Sequence, residues 1–313
     1  MRDPSDKIAA RILLATDDSE EARYATHKAV ELAGKLGSEL HVIYVGDSAL
    51  HIGDMGAVAL DPQVEEQAQK KLDEESRRLL DEQVRKIEAA GGTVAQSYLR
   101  MGGRADSIVR LAEEIDAGMV VMGSRGQGGI RRALMGSVAD GVARHAHCPV
   151  LVVRGDGPAA LFPARIVLAI DGSEEARAAT ETAQTLAAGT SSEIHVVHAG
   201  FTAHLPYTQP YMAENIESFA KQAEKEAREF LEGRVEEIKT KTGLPVHSHL
   251  RRGDPSGEIV ELAEEVNANL VVIGSRGLGG IRRSLMGGVS DSVVRHAHCP
   301  VLVVRDAGAE DGD

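Results

Sequence analysis

The sequence has few aromatic residues and almost no cysteine. Only 3% of its 313 residues are aromatic, and Trp is absent. With so few rings, the core must be built from Val, Ile, Leu and Ala. The two cysteines, Cys148 and Cys299, are too few for a disulfide framework. This low thiol content fits a protein that works in the reducing cytoplasm.

Long apolar runs and an excess of basic charge are also missing. No run of about 18 apolar residues occurs, so no membrane-spanning helix is expected. The N-terminal segment MRDPSDKIAARILL has no apolar core of the kind found in signal peptides. The net charge is −13, and the dense basic clusters are short: Arg131-Arg132, Arg251-Arg252 and Arg282-Arg283. Neither a nucleic acid nor a membrane is therefore the expected partner.

The chain contains the same design twice. RILLATDDSEEAR (11–23) matches RIVLAIDGSEEAR (165–177), and the segment 123–154 is almost identical to 274–305. A repeat of this length indicates a tandem domain duplication and not a solenoid. The predicted domains are 1–157 and 158–313, with a linker at about 155–164 and a disordered tail after 305.

Each copy alternates short apolar runs with polar or amphipathic segments. In the first half, strands are predicted at 11–16, 39–45, 93–100, 118–123 and 148–154, with helices at about 20–36, 63–90, 105–116 and 137–145. Such alternation indicates a parallel sheet with helices on both faces. The predicted fold class is α/β, with two tandem doubly wound domains. Each has a five-stranded parallel sheet in the order 3-2-1-4-5, flanked by helices.

A glycine-rich loop follows the fourth predicted strand of each copy. In open α/β sheets, ligands bind at the carboxyl ends of strands where the strand order reverses. Asp17 ends the first strand, Gly123 ends the fourth, and Gly136-Ser137 opens the last helix. Glycine lets a backbone approach a ligand closely, and the free N–H groups of a helix start attract anions. The loop is therefore interpreted as a phosphate cradle.

Arg131 and Arg132 lie inside this loop and are expected to reach phosphate oxygens. The alternative is that the glycines serve turn geometry alone. The loop does not match the GxxxxGK[ST] phosphate-binding motif. It is not the dinucleotide fingerprint either, because that motif follows the first strand.

The spacing of this loop resembles a family motif. Gly123-x-x-Gly126, nine residues and then Gly136-Ser137 is similar to the G-2x-G-9x-G-[S/T] ATP-binding motif of the universal stress protein family. The RILLATDDS start and the HCPVLVVR end also resemble that family, in both halves. The resemblance implies an ATP-binding regulatory protein of the stress response. It places one nucleotide at the switch point between strands 1 and 4 of each half, with any Mg²⁺ held by the phosphates.

The family's binding residues carry over by position. The acid that contacts the nucleoside corresponds to Asp17 and Asp171, and the residue that lines the adenine pocket to Val45 and Ala199. The site implied in the first half consists of Ala15, Thr16, Asp17, Val45, Met122, Gly123, Arg125, Gly126, Gly136, Ser137 and Val138. The site implied in the second half consists of Ala169, Ile170, Asp171, Ala199, Ile273, Gly274, Arg276, Gly277, Gly287, Gly288 and Val289.

The second copy departs from the motif at Gly288, where the family has Ser or Thr. One hydroxyl donor is lost, although the backbone N–H remains. Ser290 is a candidate to replace that donor in part, and the second site is expected to bind more weakly. The first copy also has Asp18 where the second has Gly172. Asp18 is interpreted as a solvated turn residue, with metal contact through phosphate as the alternative.

Three functions compete: a nucleotide-binding regulator, a slow ATPase and a nucleotide-free scaffold that binds partners. The loop has no Lys and no evident base, so no catalytic residue is assigned. Members of the family pair through the last strand, here 149–153 and 300–304. An internal pseudo-dimer of the two halves is therefore expected, with a homodimer as the alternative.

The HAHC segments resemble metal-binding motifs. They contain His145, His147 and Cys148 in the first copy and His296, His298 and Cys299 in the second. Side chains two residues apart diverge at a helix end, and a His there favours the helix dipole. A structural role is predicted for these residues, and no metal ligand is assigned in the chain.

Overall fold

The computed structural model describes residues 8–47, 62–126, 135–155, 162–200, 213–277 and 286–305. It divides into two compact units, Met1–Asp156 and Gly157–Asp313. The basic pairs Arg131-Arg132 and Arg282-Arg283 lie outside the described residues, as do most of the predicted linker and the tail after 305. None of the helices in the described ranges combines the length and apolar character needed to cross a membrane.

The first unit alternates strands with helices, as predicted. Its elements are β1 (Arg11–Ala15), α1 (Glu20–Leu36), β2 (Glu39–Gly46), α2 (Pro62–Ala89), β3 (Val94–Met101), α3 (Arg104–Glu114), β4 (Met119–Gly123), α4 (Ser137–His145) and β5 (Val150–Val153). All four strand pairs are parallel, and the order is β3-β2-β1-β4-β5. The predicted fold class and strand order are confirmed.

The second unit repeats this arrangement. Its elements are β6 (Arg165–Ala169), α5 (Glu174–Thr190), β7 (Glu193–Ala199), α6 (Ala213–Thr242), β8 (Val246–Arg251), α7 (Pro255–Glu265), β9 (Leu270–Gly274), α8 (Gly288–His296) and β10 (Val301–Val304). The parallel pairs give the order β8-β7-β6-β9-β10. In both units the first and fourth strands are neighbours, so their carboxyl ends adjoin.

The buried residues of both units are mainly aliphatic. In β1 and β4, Leu13, Leu14, Val120 and Val121 are fully buried, as expected for central strands with both faces covered. Phe162 is the one Phe or Tyr that is fully buried in the described part of the chain. The scarcity of aromatic residues therefore leaves the cores to Val, Ile, Leu and Ala.

Helix α1 begins and ends where its sequence predicts. The Ser19 hydroxyl accepts a hydrogen bond from the Ala22 N–H at 3.2 Å, which satisfies one of the free donors of the first turn. Gly37 has φ +68° and donates its N–H to the Ala33 carbonyl. Only glycine takes this left-handed conformation without strain, so the helix stops there.

Two predicted elements extend two residues beyond an observed boundary. The helix predicted at 105–116 ends at Glu114, and Asp116 has φ +49°. The strand predicted at 148–154 begins at Val150. Pro149 has no N–H to donate to a neighbouring strand, so regular pairing begins after it.

The first turn of each repeated helix lies directly against the end of a strand. A Cβ on Gly123 would lie 2.8 Å from the carbonyl carbon of Glu21, and one on Gly274 would lie 2.9 Å from that of Glu175. Real Cβ atoms do not approach backbone this closely. Glycine at 123 is therefore required by the packing of helix α1 against β4, and contact between its backbone and a ligand stays a prediction.

We expect Gly274→Ala to lower the free energy of unfolding by about 1–3 kcal/mol, since helix α5 would have to move away from β9. Gly34→Ala, inside helix α1 with nothing within 4 Å of the new Cβ, is the matched control. Its better helix propensity should stabilise the protein by up to about 1 kcal/mol. Chemical unfolding of both variants measures the difference. Equal effects of the two changes would contradict the packing argument.

Candidate functional site

In the second unit, the carboxyl ends of β6, β7 and β9 surround a cavity of about 380 Å³ together with the starts of α7 and α8. The eleven residues that sequence analysis proposed for this half all line it. The cavity is also lined by Ala176, Val197, Pro255, Ile259 and Ser290. The fold therefore gathers the predicted residues around one opening.

Pro255 and Ile259 belong to helix α7 and were not predicted. A sequence signal for them exists, because Asp254 caps the helix by accepting from the Gly257 N–H at 2.9 Å and Pro255 is the first helical residue. Asp followed by Pro is a typical helix start. A helix that starts directly after β8 must begin at the same edge of the sheet as the predicted residues.

The acid at the end of β6 is held rigidly. Asp171 Oδ1 accepts hydrogen bonds from the Ser173 N–H at 2.9 Å and from the Ser173 hydroxyl at 2.6 Å. Its Oδ2 occupies the place where a Cβ on residue 277 would stand. Residue 277 must therefore be glycine, because a side chain there would collide with the Asp171 carboxylate whether or not a ligand is bound.

The start of helix α8 supplies the anion-binding geometry. Gly287 is the N-cap, so the N–H groups of Gly288, Val289 and Ser290 lie in the first turn, where no earlier helical carbonyl can accept them. Gly287 packs tightly, with the Arg276 Cα 3.3 Å from the position of its missing Cβ, whereas nothing lies within 4 Å of that position on Gly288. A side chain at residue 288 therefore has room.

Ser290 does not replace the hydroxyl that Gly288 lacks. Its side chain is buried and donates a hydrogen bond to the Gly274 carbonyl at 2.7 Å. The expectation that Ser290 substitutes in part as a donor is therefore wrong, because its proton is committed to the end of β9.

The two predicted arginines are tied to the adjacent helices. Arg276 Nη2 lies 2.8 Å from Glu175 Oε1, and Arg125 Nη2 lies 2.5 Å from Glu21 Oε1. All four side chains are less than 20% exposed. Arg276 lines the cavity, but much of its charge is balanced by a partner within the protein.

The first unit places its predicted residues at equivalent positions. Ala15, Thr16 and Asp17 follow one another at the end of β1, Val45 lies near the end of β2, and Met122 and Gly123 end β4. Asp17 Oδ1 accepts from the Ser19 N–H at 3.1 Å, and a Cβ on Gly126 would overlap Asp17 Oδ2. Gly136 caps α4. In the first turn of that helix, Ser137 is exposed and Val138 is half-exposed.

Asp18 is a turn residue, with φ +64° where Gly172 has φ +89°. Its carboxylate accepts from Lys86 Nζ at 2.7 Å and from Gln83 Nε2 at 2.9 Å. These hydrogen bonds hold the pKa of Asp18 below its usual value, the one from Lys86 most strongly. The predicted turn position is confirmed, and the carboxylate joins the turn to helix α2.

The histidines and cysteines of the HAHC segments make structural contacts. His145 Nδ1 lies 2.8 Å from the Gly141 carbonyl, and His296 Nδ1 lies 2.8 Å from the Ser292 carbonyl. Cys148 and Cys299 are buried, and burial raises the pKa of the Cys299 thiol to about 12. A buried thiol of this kind behaves as a small apolar group.

Both copies of the repeat match one protein family. The model of the Universal stress protein family matches residues 9–154 and 164–305. The chain belongs to the universal stress protein family. It is a tandem member, since each match covers one copy of the repeat, and the family's proteins are stress-response proteins.

One relative and one solved structure match this universal stress protein over nearly its whole length. A universal stress protein of Mycolicibacterium smegmatis is 32% identical over 308 residues, which cover 94% of this chain and 96% of that protein. One of Mycobacterium tuberculosis is 33% identical over 194 residues, which cover 61% of this chain and 63% of that protein, less than two thirds of its length. The crystal structure of a universal stress protein from Archaeoglobus fulgidus covers 96% of this chain and 98% of its own, with a TM-score of 0.68 and 25% identity.

The Arg276–Glu175 pair yields a stability prediction. We expect Glu175→Gln to lower the free energy of unfolding by about 1–3 kcal/mol, because a buried guanidinium loses its charged partner. The matched control is Glu174→Gln, whose side chain is 77% exposed and lies 3.7 Å from Arg177. That change should cost less than about 0.5 kcal/mol. Urea unfolding followed by circular dichroism compares them, and a Glu175→Gln effect as small as the control would contradict a structural role for the pair.

Proposed function

We propose that this universal stress protein is an ATP-binding regulatory protein that works in the cytoplasm. In this proposal each half binds one nucleotide at the edge where its first and fourth strands end. The observation that carries the proposal is the cavity of the second half and the eleven predicted residues around it. Its volume falls within the range of about 300–1,000 Å³ typical of small-molecule sites. Both cysteines are buried as thiols, which supports a reducing compartment.

The apolar side of the cavity suits a flat base. It is lined by Ala169, Ile170, Val197, Ala199, Ile259 and Ile273. Burial of a heterocyclic ring against aliphatic side chains is favourable because apolar surface leaves water. Ala199, the last residue of β7, has a small side chain and so leaves space in the cavity at the position proposed for the adenine.

The polar side suits a sugar and a phosphate chain. Gly277, Gly287 and Gly288 present backbone near the free N–H groups of the first turn of α8, a typical arrangement for phosphate. The fixed Asp171 carboxylate would repel phosphate and accept hydrogen bonds from ribose hydroxyl groups. This polarity orients the nucleotide, with its base toward the β7 side and its phosphates at α8.

The charges around the cavity favour nucleotide binding over nucleotide hydrolysis. Among the lining residues, Asp171 and Arg276 are the charged ones. Asp171 is held by Ser173, and Arg276 is paired with Glu175. Phosphoryl transfer needs a positioned base or water and positive charge at the phosphates. We therefore propose a regulator in which bound ATP stabilises one state, with Mg²⁺ bound through the phosphates.

The first test is to count and identify the nucleotide. The full chain is purified without added nucleotide and denatured, and the released material is identified; the dialysed chain is then titrated with Mg-ATP and with AMP. We expect adenine nucleotide to bind, ATP more tightly than AMP, with little phosphate released. Steady phosphate release that is lost in Asp17→Asn would support the slow ATPase. A folded chain that binds no nucleotide would overturn the proposal and favour a scaffold.

Residue 288 provides a sharper prediction. Gly288→Ser should tighten ATP binding at the second site about ten- to a hundred-fold, because a hydrogen bond to a charged group contributes about 1.5–3 kcal/mol. The structure leaves room for the new side chain. The measurement is calorimetric titration in a background of Gly126→Val, which should disable the first site by displacing Asp17.

Two further variants control this measurement. Ser137→Gly should weaken the first site by a similar factor, measured with the second site disabled by Gly277→Val. Gly233→Ser adds the same side chain inside α6, where nothing lies within 4 Å, and should change neither affinity. Unchanged binding in Gly288→Ser would show that the hydroxyl does not contact the phosphates.

A further inference from the structure

The second unit carries a cluster of metal-ligand side chains that lies apart from the cavity. Glu193 and His195 are on β7, and His247 is on β8. His195 and His247 are register partners in the parallel pair β7–β8. Glu193 stands two residues before His195, so strand alternation puts the three side chains on one face of the sheet. In the described part of the chain, this is the one group of three such side chains close enough to share an ion.

The distances suit a single ion. Glu193 Oε1 lies 3.6 Å from His195 Nε2, and Glu193 Oε2 lies 4.0 Å from His247 Nε2. One ligand atom from each residue lies within 4.8 Å of the other two. Ligand bonds of about 2.0–2.1 Å at tetrahedral zinc set neighbouring ligand atoms about 3.3 Å apart. Small side-chain movements would therefore bring the three ligand atoms to the separations found around one ion.

His195 supplies the second observation that points to a ligand. The residue is 9% exposed, and its Nε2 is buried without a hydrogen-bond partner. Its other nitrogen, Nδ1, lies 3.0 Å from His249 Nε2. If Nδ1 carries the proton and donates it to His249, the Nε2 lone pair faces the cluster. A buried nitrogen without a partner is costly, and a metal ion would satisfy it.

His249 therefore stands where an outer-shell partner of a metal-bound histidine is usually found. Such partners fix the tautomer and the ring orientation of the ligand.

Two features of the cluster have to be accommodated. Arg165 Nε donates to Glu193 Oε1 at 2.6 Å, so the ion would bind mainly through Oε2 while Arg165 orients the carboxylate. The rings of His195 and His247 are stacked, with centroids 4.7 Å apart and planes 22° from parallel, and must tilt to converge. The His247 side chain is 51% exposed, so it is free to make that movement.

We propose that Glu193, His195 and His247 bind a divalent transition-metal ion of the Zn²⁺ type. Two imidazoles and one carboxylate suit such an ion better than Mg²⁺ or Ca²⁺, which prefer oxygen ligands. Three protein ligands leave a fourth position for water. The cluster lies nearer the start of β7, at Glu193 and His195, whereas Val197 and Ala199 further along the strand line the nucleotide cavity.

The first unit is a natural control. Glu39 and His41 stand where Glu193 and His195 stand, but Gln96 replaces His247 and Tyr98 replaces His249. His41 Nδ1 lies 3.1 Å from the Tyr98 hydroxyl, and its Nε2 lies 3.5 Å from Glu39 Oε2. A ligand is missing in that half, so the proposal requires one metal ion per chain.

The test uses the untagged full chain, stripped with a chelator and freed of nucleotide. Co²⁺ titration followed by visible absorption, and Zn²⁺ titration by calorimetry, should each show one site per chain with imidazole-type Co²⁺ bands. Mg²⁺ should not compete. His247→Gln, which copies the first half, should remove the site, and His249→Gln should weaken it about 10–100-fold.

Two variants make the result specific. Gln96→His should raise the count from one to two by completing the first-half cluster. His27→Gln, on the exposed face of α1, should change nothing. Circular dichroism confirms that each variant is folded. A folded wild-type chain that binds neither ion at micromolar concentration would overturn the proposal, as would Zn²⁺ binding that survives His247→Gln.

Discussion

The contact between the first turn of helix α5 and the last residue of β9 is the constraint on which the candidate site depends. Because Gly274 has no side chain, the backbone of Glu175 can lie against it. That proximity lets Glu175 pair with Arg276 just beyond the strand. It also fixes Ser173, which caps the helix and holds Asp171. Similar contacts recur in the first unit, where Glu21 pairs with Arg125 and also accepts the Gly155 N–H, although the Ser19 hydroxyl donates to the Arg125 carbonyl and not to Asp17.

Duplication has kept this framework and changed the chemistry attached to it. Residues that fix the backbone are the same in both halves, as Gly123 and Gly274 show. Residues whose side chains have space differ: Ser137 is matched by Gly288, where the structure is open. Asp18 gives way to Gly172 at a left-handed turn that glycine adopts without strain. Packing therefore limits the first group of positions and leaves the second group open to change.

The strand order could be predicted from the alternation of strands and helices, and the eleven second-half residues from the resemblance to the family motif. The sequence could not reveal what each glycine accommodates, because at Gly274 and Gly277 the neighbour is part of the protein itself. Nor could it reveal that Arg276 is paired, since its partner is about a hundred residues away in the chain. The rule that side chains two residues apart diverge holds at a helix end. On a strand the same spacing puts them on one face, which is why the HSH segment at 247–249 was missed.

The two proposed sites of the second half would act on different parts of its sheet. The cavity lies where β6, β7 and β9 end. The metal cluster joins β7 to β8, the edge strand of the unit. Edge strands are held from one side only and open more easily than central ones. An ion bound across β7 and β8 would therefore oppose separation of the edge, whereas a nucleotide would hold the loop after β9 against α8. Strand β7 carries residues of both sites, because His195 belongs to the cluster and Val197, two residues further on, lines the cavity. Two ligands that hold the same strand are close enough to couple, so their effects on the stability of the unit should not simply add.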